Sequence, residues 1–340
     1  MSTETSSPSM YRCLVASKDD LGNVSCQVQQ RNFATLNSGE VTVKVLYSSL
    51  NYKDALAATG HPGVARSLPL VPGIDAAGEV ITSNSPRFSV GDNVILFNAE
   101  FGTKADGGYS EFARVPADWA LPLPAGMTLL DAMTIGTGGF TAAQCVDKLL
   151  NHHVNPKSGE IVVTGATGGV GIFSVKLLDK LGFNVVASTG KHQLADWLKQ
   201  HGAKTVISRT EVDDRTDRPL LTSRWGGAVD TVGGNTLATI LRSTKPHGCV
   251  TACGVVGGAA LPVTVFPFIL RGVALQGIDS ASISQEYRSE LWGKLANEWR
   301  IDDLDKLITI VSLEELPHEI SRILRGEIAG RVVVDLQRTI

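Results

Sequence analysis

The sequence lacks the features that mark several classes of protein. Among its 340 residues, no apolar run approaches the roughly 20 residues that a membrane span needs. Lysine and arginine number 31 against 34 aspartates and glutamates, and this net charge of -3 offers no basic surface for nucleic acid or an anionic membrane. We therefore expect neither a nucleic-acid partner nor a membrane partner.

Cysteine is also sparse. Five cysteines are scattered along the chain, and only Cys249 and Cys253 lie close together, in an apolar stretch typical of a strand. An odd and scattered set argues against a disulfide framework. The first nine residues have neither the apolar stretch of a secretory signal nor the arginines of a transit peptide. We predict a disordered tail over residues 1–9 and a cytoplasmic protein.

The first third of the chain has the pattern of short strands. Val41, Val43 and Val45 alternate within a predicted strand at residues 40–46, and Gly91 and Asp92 open another at 93–97. Proline and glycine are frequent between such runs. This part of the chain is therefore predicted to form a β-rich domain, as a barrel or an open β-fold.

The pattern changes near residue 129. A long helix is predicted at 130–149, and apolar strands then alternate with helices, with strands at 160–164, 184–188, 205–208, 228–232 and 249–253. Such alternation predicts a parallel sheet and an α/β chain. After Ser280 the alternation stops, with a helix at 285–299 and strands at 308–312 and 331–336 that can return to the first domain.

The strongest local signal is the segment IVVTGATGGVG at residues 161–171. Ala166, Gly168 and Gly171 fit the spacing of a dinucleotide-binding turn, and they stand between a predicted strand and a predicted helix. Glycines allow the backbone to approach a pyrophosphate, which the N–H groups of a helix N-terminus can bind. We predict a dinucleotide cofactor.

The next strand indicates which dinucleotide. NAD-binding folds place a carboxylate about 20 residues further on, where it holds the ribose 2′-hydroxyl. This chain has Ser188, Thr189, Gly190 and Lys191 there, and Arg209 follows the third strand. A carboxylate would repel a 2′-phosphate, whereas arginine matches its geometry. The cofactor is therefore predicted to be NADP(H).

At this point the chain resembles the medium-chain dehydrogenase/reductase superfamily, from about Met10 to the end. Zinc enzymes of that superfamily carry a Cys after an early strand and a Gly-His-Glu motif some twenty residues later. Asn51 and the segment Gly73-Ile74-Asp75 stand at the matching places here. A tetrahedral zinc site needs about four ligands, and the sequence does not supply them. We expect no metal.

Several stretches resemble one branch of that superfamily, the zinc-free YhdH-type quinone oxidoreductase and acrylyl-CoA reductase family. They include SSLNYKDALAATG, PGIDAAG, DGGYSEFARVPADW, GAVDTVGG and PFILRGVALQGIDS. The resemblance implies a GroES-like catalytic domain at 10–130 and 281–340 and a Rossmann-type, doubly wound NADP-binding domain at 131–280. The cofactor contacts that it implies are Tyr52, Thr167, Gly168, Gly169, Val170, Thr189, Gly190, Lys191, Arg209, Val255, Ile269 and Ser280. Residues 97–105, FNAEFGTKA, depart from the family pattern, which leaves the substrate less defined than the cofactor.

The resemblance also implies NADPH-dependent reduction of the C=C bond of acrylyl-CoA. Reduction of a quinone or a reactive enone is the alternative within the family, and a non-catalytic NADPH-binding protein is the alternative outside it. Without zinc, a side chain must stabilise the oxygen on which charge develops. Tyr52 is the candidate, because zinc relatives hold their metal in this segment; it can instead pack on the cofactor alone. Asn51 and Asp54 are predicted to fix the turn before it.

Assembly is the remaining expectation. Residues 263–278 contain apolar runs, and 273–278 is predicted to be a terminal strand of the sheet. An exposed apolar edge favours pairing with a second copy across a two-fold axis. We predict a homodimer that acts on a small-molecule substrate.

Overall fold

The structure, a computed structural model, describes residues 8–339. Most of the predicted disordered tail, residues 1–7, lies outside the described residues. The carbonyl of Ser9, the last residue of that predicted tail, accepts a hydrogen bond from the Phe33 N–H at 3.0 Å.

The described range contains both strands and α-helices. The strands are β1 Met10–Lys18, β2 Val24–Asn32, β3 Val41–Leu50, β4 Ala76–Ser83, β5 Asn93–Leu96, β6 Phe112–Val115, β7 Ala120–Pro122, β8 Glu160–Val163, β9 Asn184–Thr189, β10 Thr205–Ser208, β11 Trp225–Asp230, β12 Thr244–Ala252, β13 Ala274–Gly277, β14 Ile308–Val311 and β15 Arg331–Asp335. The helices are α1 Tyr52–Ala58, α2 Leu129–Asn151, α3 Gly169–Lys180, α4 Ala195–Gln200, α5 Gly234–Ser243, α6 Phe266–Arg271, α7 Gln285–Ala296 and α8 Leu316–Leu324. No helix of this range is long and apolar enough to cross a membrane.

The chain divides into two compact units. The first contains residues up to Thr137, Ser284–Ser289 and the residues from Asp303 onward. Its main sheet has the strand order β14-β15-β3-β4-β5-β7, with β6 also paired to β3, and β1 and β2 form a hairpin. Val41, Val43 and Val45 lie in the core of this unit, as their alternation predicts. The predicted β-rich domain is confirmed, and the last strands return to its sheet.

The second unit contains Gly138–Ile283 and Glu290–Asp302. Its sheet is parallel throughout, in the order β10-β9-β8-β11-β12-β13, and its core includes Val162, Val186, Ala228 and Val250 from four successive central strands. Because strands in the middle of such a sheet are covered on both faces, they are apolar along their length. The predicted α/β fold class is confirmed.

One edge of the parallel sheet is formed by β13, which pairs only with β12 in this sheet, and the other edge is formed by β10. Several large apolar side chains near this edge are exposed, among them Val265, Ile269 and Leu270. The predicted terminal strand is therefore confirmed, while the dimer that it suggests stays a prediction.

The long predicted helix is not continuous. Within α2, Gly136 has φ 48° and ψ -162°, so two helical segments meet there at a kink. A Cβ at this position would come within 2.6 Å of Arg331 Nη2 and Ser49 Oγ and within 2.8 Å of Asp75 Oδ2. The kink therefore exists because a polar cluster of the first unit approaches the backbone here, which only glycine allows.

Candidate functional site

In the second unit, the predicted cofactor residues follow the carboxyl ends of neighbouring strands. The segment 167–170 comes after β8, Thr189–Lys191 ends and follows β9, and Arg209 follows β10. Because these three strands are adjacent and parallel, their ends lie at one edge of the sheet. Ligands of open α/β sheets bind at this edge.

The turn after β8 has the geometry of an anion site. Gly168 is the N-cap residue of α3, and its N–H donates to the Gly165 carbonyl at 2.9 Å. The first N–H groups of a helix have no partner within it, so those at the start of α3 can bind phosphate. A Cβ at Gly171 would overlap the Gly165 carbonyl oxygen, which explains the third glycine of the motif.

A polar brace holds this turn from the neighbouring strand. Asp230, at the end of β11, accepts the Thr164 hydroxyl at 2.7 Å and the Gly233 N–H at 2.7 Å. The Thr231 hydroxyl donates to the Thr164 carbonyl at 2.9 Å. Burial raises the pKa of Asp230, although these hydrogen bonds favour its ionised form. Asp230 belongs to the segment GAVDTVGG, and its role in holding the turn was not predicted from the sequence.

The end of β9 offers hydroxyls and backbone rather than a carboxylate. Ser188 and Thr189 are buried, and the Lys191 N–H donates to Thr189 Oγ1 at 2.9 Å. The side chain of Arg209 lies along Gly190, since a Cβ built there would be 3.2–3.4 Å from Arg209 Cδ, Nε and Cζ. The guanidinium is therefore placed beside the strand end where an adenosine ribose binds in such folds. These residues fit a 2′-phosphate.

The other predicted contacts of this unit are more scattered. Val255 follows β12 and is 68% exposed, and the half-buried Ser280 follows β13. Ile269 follows no strand end; it lies on the short helix α6 and is 67% exposed. Their role as cofactor contacts stays a prediction.

In the first unit, Tyr52 is the first residue of α1 and is 42% exposed. The turn before it is fixed by Asp54, whose Oδ2 accepts the Asn51 N–H at 2.8 Å while Oδ1 accepts the Ile74 N–H at 2.7 Å. Asp54 thus makes the side-chain-to-backbone hydrogen bonds that were predicted for the turn. The side chain of Asn51 instead bonds to the side chains of Asp54, Asp75 and Arg331, so its predicted bond to the backbone of the turn is not seen. Tyr52 is thus presented on a rigid backbone.

A buried polar cluster surrounds Asn51 and Ile74, the two positions that match zinc ligands. Its hub is Asp75, which accepts hydrogen bonds from Ser49 Oγ at 2.6 Å, Asn51 Nδ2 at 2.8 Å, and Thr137 N and Oγ1 at 2.9 and 2.6 Å. All of these donors belong to the same unit as Asp75. The Asn51 amide also donates to Asp54 at 3.1 Å, so it bridges the two carboxyl groups.

The positive charge of this cluster comes from Arg331 on β15. Its guanidinium donates to Asn51 Oδ1 at 3.0 Å, Ser49 Oγ at 2.8 Å and the Thr134 carbonyl at 3.1 Å, and lies 4.0 Å from Asp75. Burial lowers the pKa of Arg331, an effect that Asp75 and Asp54 oppose. Burial also raises the pKa of Asp54 to about 7, with the Asp75 charge adding to the rise. Two carboxyl groups and one guanidinium thus reach charge balance when Asp54 is protonated.

The described residues contain no group of three or more His, Cys, Asp or Glu side chains able to hold a metal ion. In particular, Asn51 and Ile74 bring an amide and an apolar side chain to the positions considered for zinc. That the protein binds no metal stays a prediction from the sequence, and chelation with elemental analysis tests it.

Comparison with known proteins gives consistent matches along the chain. Residues 37–125 match the alcohol dehydrogenase GroES-like domain family, and residues 169–297 match the zinc-binding dehydrogenase family. The putative quinone oxidoreductase YhfP of Bacillus subtilis is 45% identical, over 96% of this chain and 99% of its own length. The acrylyl-CoA reductase AcuI of Ruegeria pomeroyi is 43% identical, with the same two coverages.

Solved structures give the same likeness. The yhdH oxidoreductase of Salmonella enterica in complex with NADP superposes with a TM-score of 0.92 at 43% identity, covering 96% of this chain and 99% of that one. YhfP with NAD bound superposes with a TM-score of 0.94, covering 97% of this chain and all of that one. Both comparisons extend over nearly the whole length of each chain.

Proposed function

The chain belongs to the zinc-free YhdH-type quinone oxidoreductase and acrylyl-CoA reductase family of the medium-chain dehydrogenases/reductases, and on this premise we propose that it reduces the C=C bond of a short 2-enoyl thioester such as acrylyl-CoA, with NADPH as the reductant. The observation that carries the substrate class is the 43% identity to AcuI over nearly the full length of both chains. The chain is an oxidoreductase whichever of this family's substrates it reduces.

The choice of NADPH is supported by residues of the second unit. Arg209 lies along Gly190, and no carboxylate stands among residues 188–191, where NAD-binding folds carry one. The S. enterica relative was crystallised with NADP and YhfP with NAD, so the relatives alone do not decide the preference. The arginine favours the phosphorylated cofactor, because it can form paired hydrogen bonds to a 2′-phosphate.

The reaction sets two demands on the side chains of the protein. Bound NADPH supplies a hydride to the β-carbon of the thioester. Negative charge then develops on the thioester oxygen, which needs a hydrogen-bond donor, and the α-carbon needs a proton. We assign the donor role to Tyr52, because its phenol is accessible and its backbone is fixed by Asp54. Removing one such donor typically costs about 10²–10³ in rate.

A direct assay tests this proposal. NADPH oxidation is followed with acrylyl-CoA, with a benzoquinone and without an acceptor, and the acyl product is identified by mass spectrometry. We expect propionyl-CoA, and a kcat/KM for acrylyl-CoA at least tenfold above that for the quinone. If the quinone is reduced and acrylyl-CoA is not, the thioester assignment is contradicted.

Reduction of a quinone or reactive enone is the second candidate, favoured by the likeness to YhfP. It uses the same hydride donor and differs in the acceptor, so the assay above separates the two by their ratio of kcat/KM. No observation favours a non-catalytic NADPH-binding protein over these enzymes.

A further inference from the structure

One face of α5 carries a polar stripe that binds the chain just after Arg209. Asn235, Thr239 and Arg242 are spaced at i, i+4 and i+7, so they lie on the same face of the helix. Asn235 Nδ2 donates to Asp213 Oδ1 at 2.7 Å and to the Asp214 carbonyl at 3.0 Å. Thr239 Oγ1 accepts the Asp214 N–H at 3.0 Å.

Arg242 makes further hydrogen bonds along the chain that follows Arg209. Its guanidinium donates to the carbonyls of Asp214, Thr216 and Arg218 at 2.7, 2.8 and 2.9 Å. Polar groups of α5 thus hold the connection between β10 and β11 at several points. Both the helix and this connection belong to the second unit.

The turn that carries Arg209 is fixed from its other side as well. Arg209–Val212 forms a short 3₁₀ helix, in which the Ser208 N–H donates to Glu211 Oε1 at 3.1 Å and Ser208 Oγ accepts the Thr210 N–H at 3.3 Å. Val212 is buried in the core of the unit. The backbone of Arg209 is therefore held between β10 and α5.

Asp213 is the acidic side chain that follows this turn, and two partners hold its carboxylate. Its Oδ1 accepts Asn235, and its Oδ2 accepts Arg215 Nε at 3.2 Å and Nη2 at 2.8 Å. Asn235 and Arg215 lower the pKa of Asp213, and Arg209 adds a smaller effect of the same sign. Asp213 is the C-cap residue of the short 3₁₀ helix that begins with Arg209, so its carboxylate follows by one short helix the arginine that we assign to the 2′-phosphate.

We propose that Asn235 is a positioning residue for cofactor choice: by holding Asp213 it keeps that carboxylate from pairing with Arg209, so that the guanidinium stays along Gly190 for a 2′-phosphate. This inference rests on the proposed use of NADPH. Without Asn235, Asp213 competes with the phosphate for Arg209 and repels the phosphate directly. NADH has no 2′-phosphate, so neither effect changes its affinity.

The test is a double-mutant cycle read by fluorescence titration of NADPH and NADH. Asn235→Ala should weaken NADPH five- to tenfold, about 1 to 1.4 kcal/mol, and leave NADH within twofold. In an Arg209→Ala background the same substitution should weaken NADPH less than twofold, because only the direct repulsion by Asp213 remains once the arginine is gone. Adding Asp213→Asn to Asn235→Ala should restore NADPH binding, which a merely loosened fold would not do.

Arg271→Gln is the matched control. Arg271 donates to the carbonyls of Leu221, Arg242 and Thr244 at 2.6, 2.9 and 3.1 Å, so it stabilises the far end of the same connection. This variant should lower Tm and leave the NADPH to NADH ratio unchanged. If it shifts the ratio as much as Asn235→Ala does, or if Asp213→Asn fails to restore binding, the inference is overturned.

Two outcomes keep the inference separate from the cofactor assignment. If Arg209→Ala weakens both cofactors equally, the assignment of the 2′-phosphate fails; if Arg209→Ala is selective and Asn235→Ala is silent, only the role of Asn235 fails. Should Asn235→Ala not fold, Asn235→Leu replaces it in the same cycle, because leucine has a similar size and lacks the amide that holds Asp213. It is expected to weaken NADPH at least fivefold with no change for NADH, and unchanged NADPH binding contradicts the proposal.

Discussion

The buried carboxyl group of Asp54 makes the stability of the protein depend on pH in an unusual direction. Most acidic side chains of a folded protein have a pKa at or below the ordinary value, so that stability falls in acid. Asp54 is fully buried beside Asp75, and its pKa is raised to about 7. Its protonated form is therefore the one that the fold favours.

The sign and size of the effect follow from linkage. The stabilising contribution of Asp54 is fully present below the unfolded pKa of about 3.9 and is lost as the pH rises through the folded value. Between pH 5.5 and 8 this loss amounts to about 2 kcal/mol in the free energy of unfolding. Asp54→Asn removes the titration and keeps the shape, with a constant cost because one oxygen acceptor for the N–H groups of Asn51 and Ile74 is gone.

Urea unfolding at a series of pH values from 5.5 to 8 measures the difference between the two proteins. We expect the wild type to lose about 2 kcal/mol relative to Asp54→Asn over this range. Asp118→Asn is the control, since the Asp118 side chain is 84% exposed and its ion pair with Arg87 contributes little. Parallel curves for wild type and Asp54→Asn, or a wild type that gains stability relative to the variant, would refute the reasoning.

The remaining predictions concern the cofactor, the proton donor, the metal and the assembly. Arg209→Ala should weaken NADPH at least tenfold, about 1.4 kcal/mol, and leave NADH nearly unchanged; equal losses in a titration of both would contradict the 2′-phosphate assignment. Tyr52→Phe should lower kcat with acrylyl-CoA at least tenfold and change NADPH affinity little, whereas an unchanged hydride-transfer rate in stopped-flow would return the proton to solvent. Activity should survive prolonged chelation, because Asn51 and Ile74 cannot replace a Cys and a His as ligands; a stoichiometric zinc whose removal abolishes turnover would show the opposite. Light scattering at micromolar concentration should give a homodimer, which we assign to the β13 edge, and a monomer would count against it.

Local patterns predicted the elements that are built from local signals. The strand, glycine turn and helix around residues 160–180 follow from apolar runs and glycine spacing, and the structure places them as expected. The alternation of strands and helices likewise predicted the parallel sheet, because the central strands contain apolar runs such as residues 161–163 and 249–250.

Features that depend on distant partners were not visible in the sequence. The residues 130–149 have a helical pattern, and the kink at Gly136 arises from Ser49, Asp75 and Arg331, which are far away in the chain. The hydrogen bond from Asn235 to Asp213 was also not visible in the sequence, because an asparagine in a helical pattern does not indicate which residue it contacts. The spacing of Asn235, Thr239 and Arg242 is the only hint, and it is common on exposed helix faces.

Arg331 also makes the assembly of the first unit depend on residues that are far apart in the chain. Its guanidinium binds Ser49, 282 positions earlier, and its strand lies between β14 and β3 in the sheet. During synthesis the early strands of this unit must wait for β15 before the polar cluster around Asp75 receives the Arg331 guanidinium and the part of β3 that pairs with β15 is covered. Contacts of such long sequence separation slow folding and leave an open strand edge in the interval. The second unit needs no such distant segment for its sheet, so we expect it to be the first part of the chain to become stable.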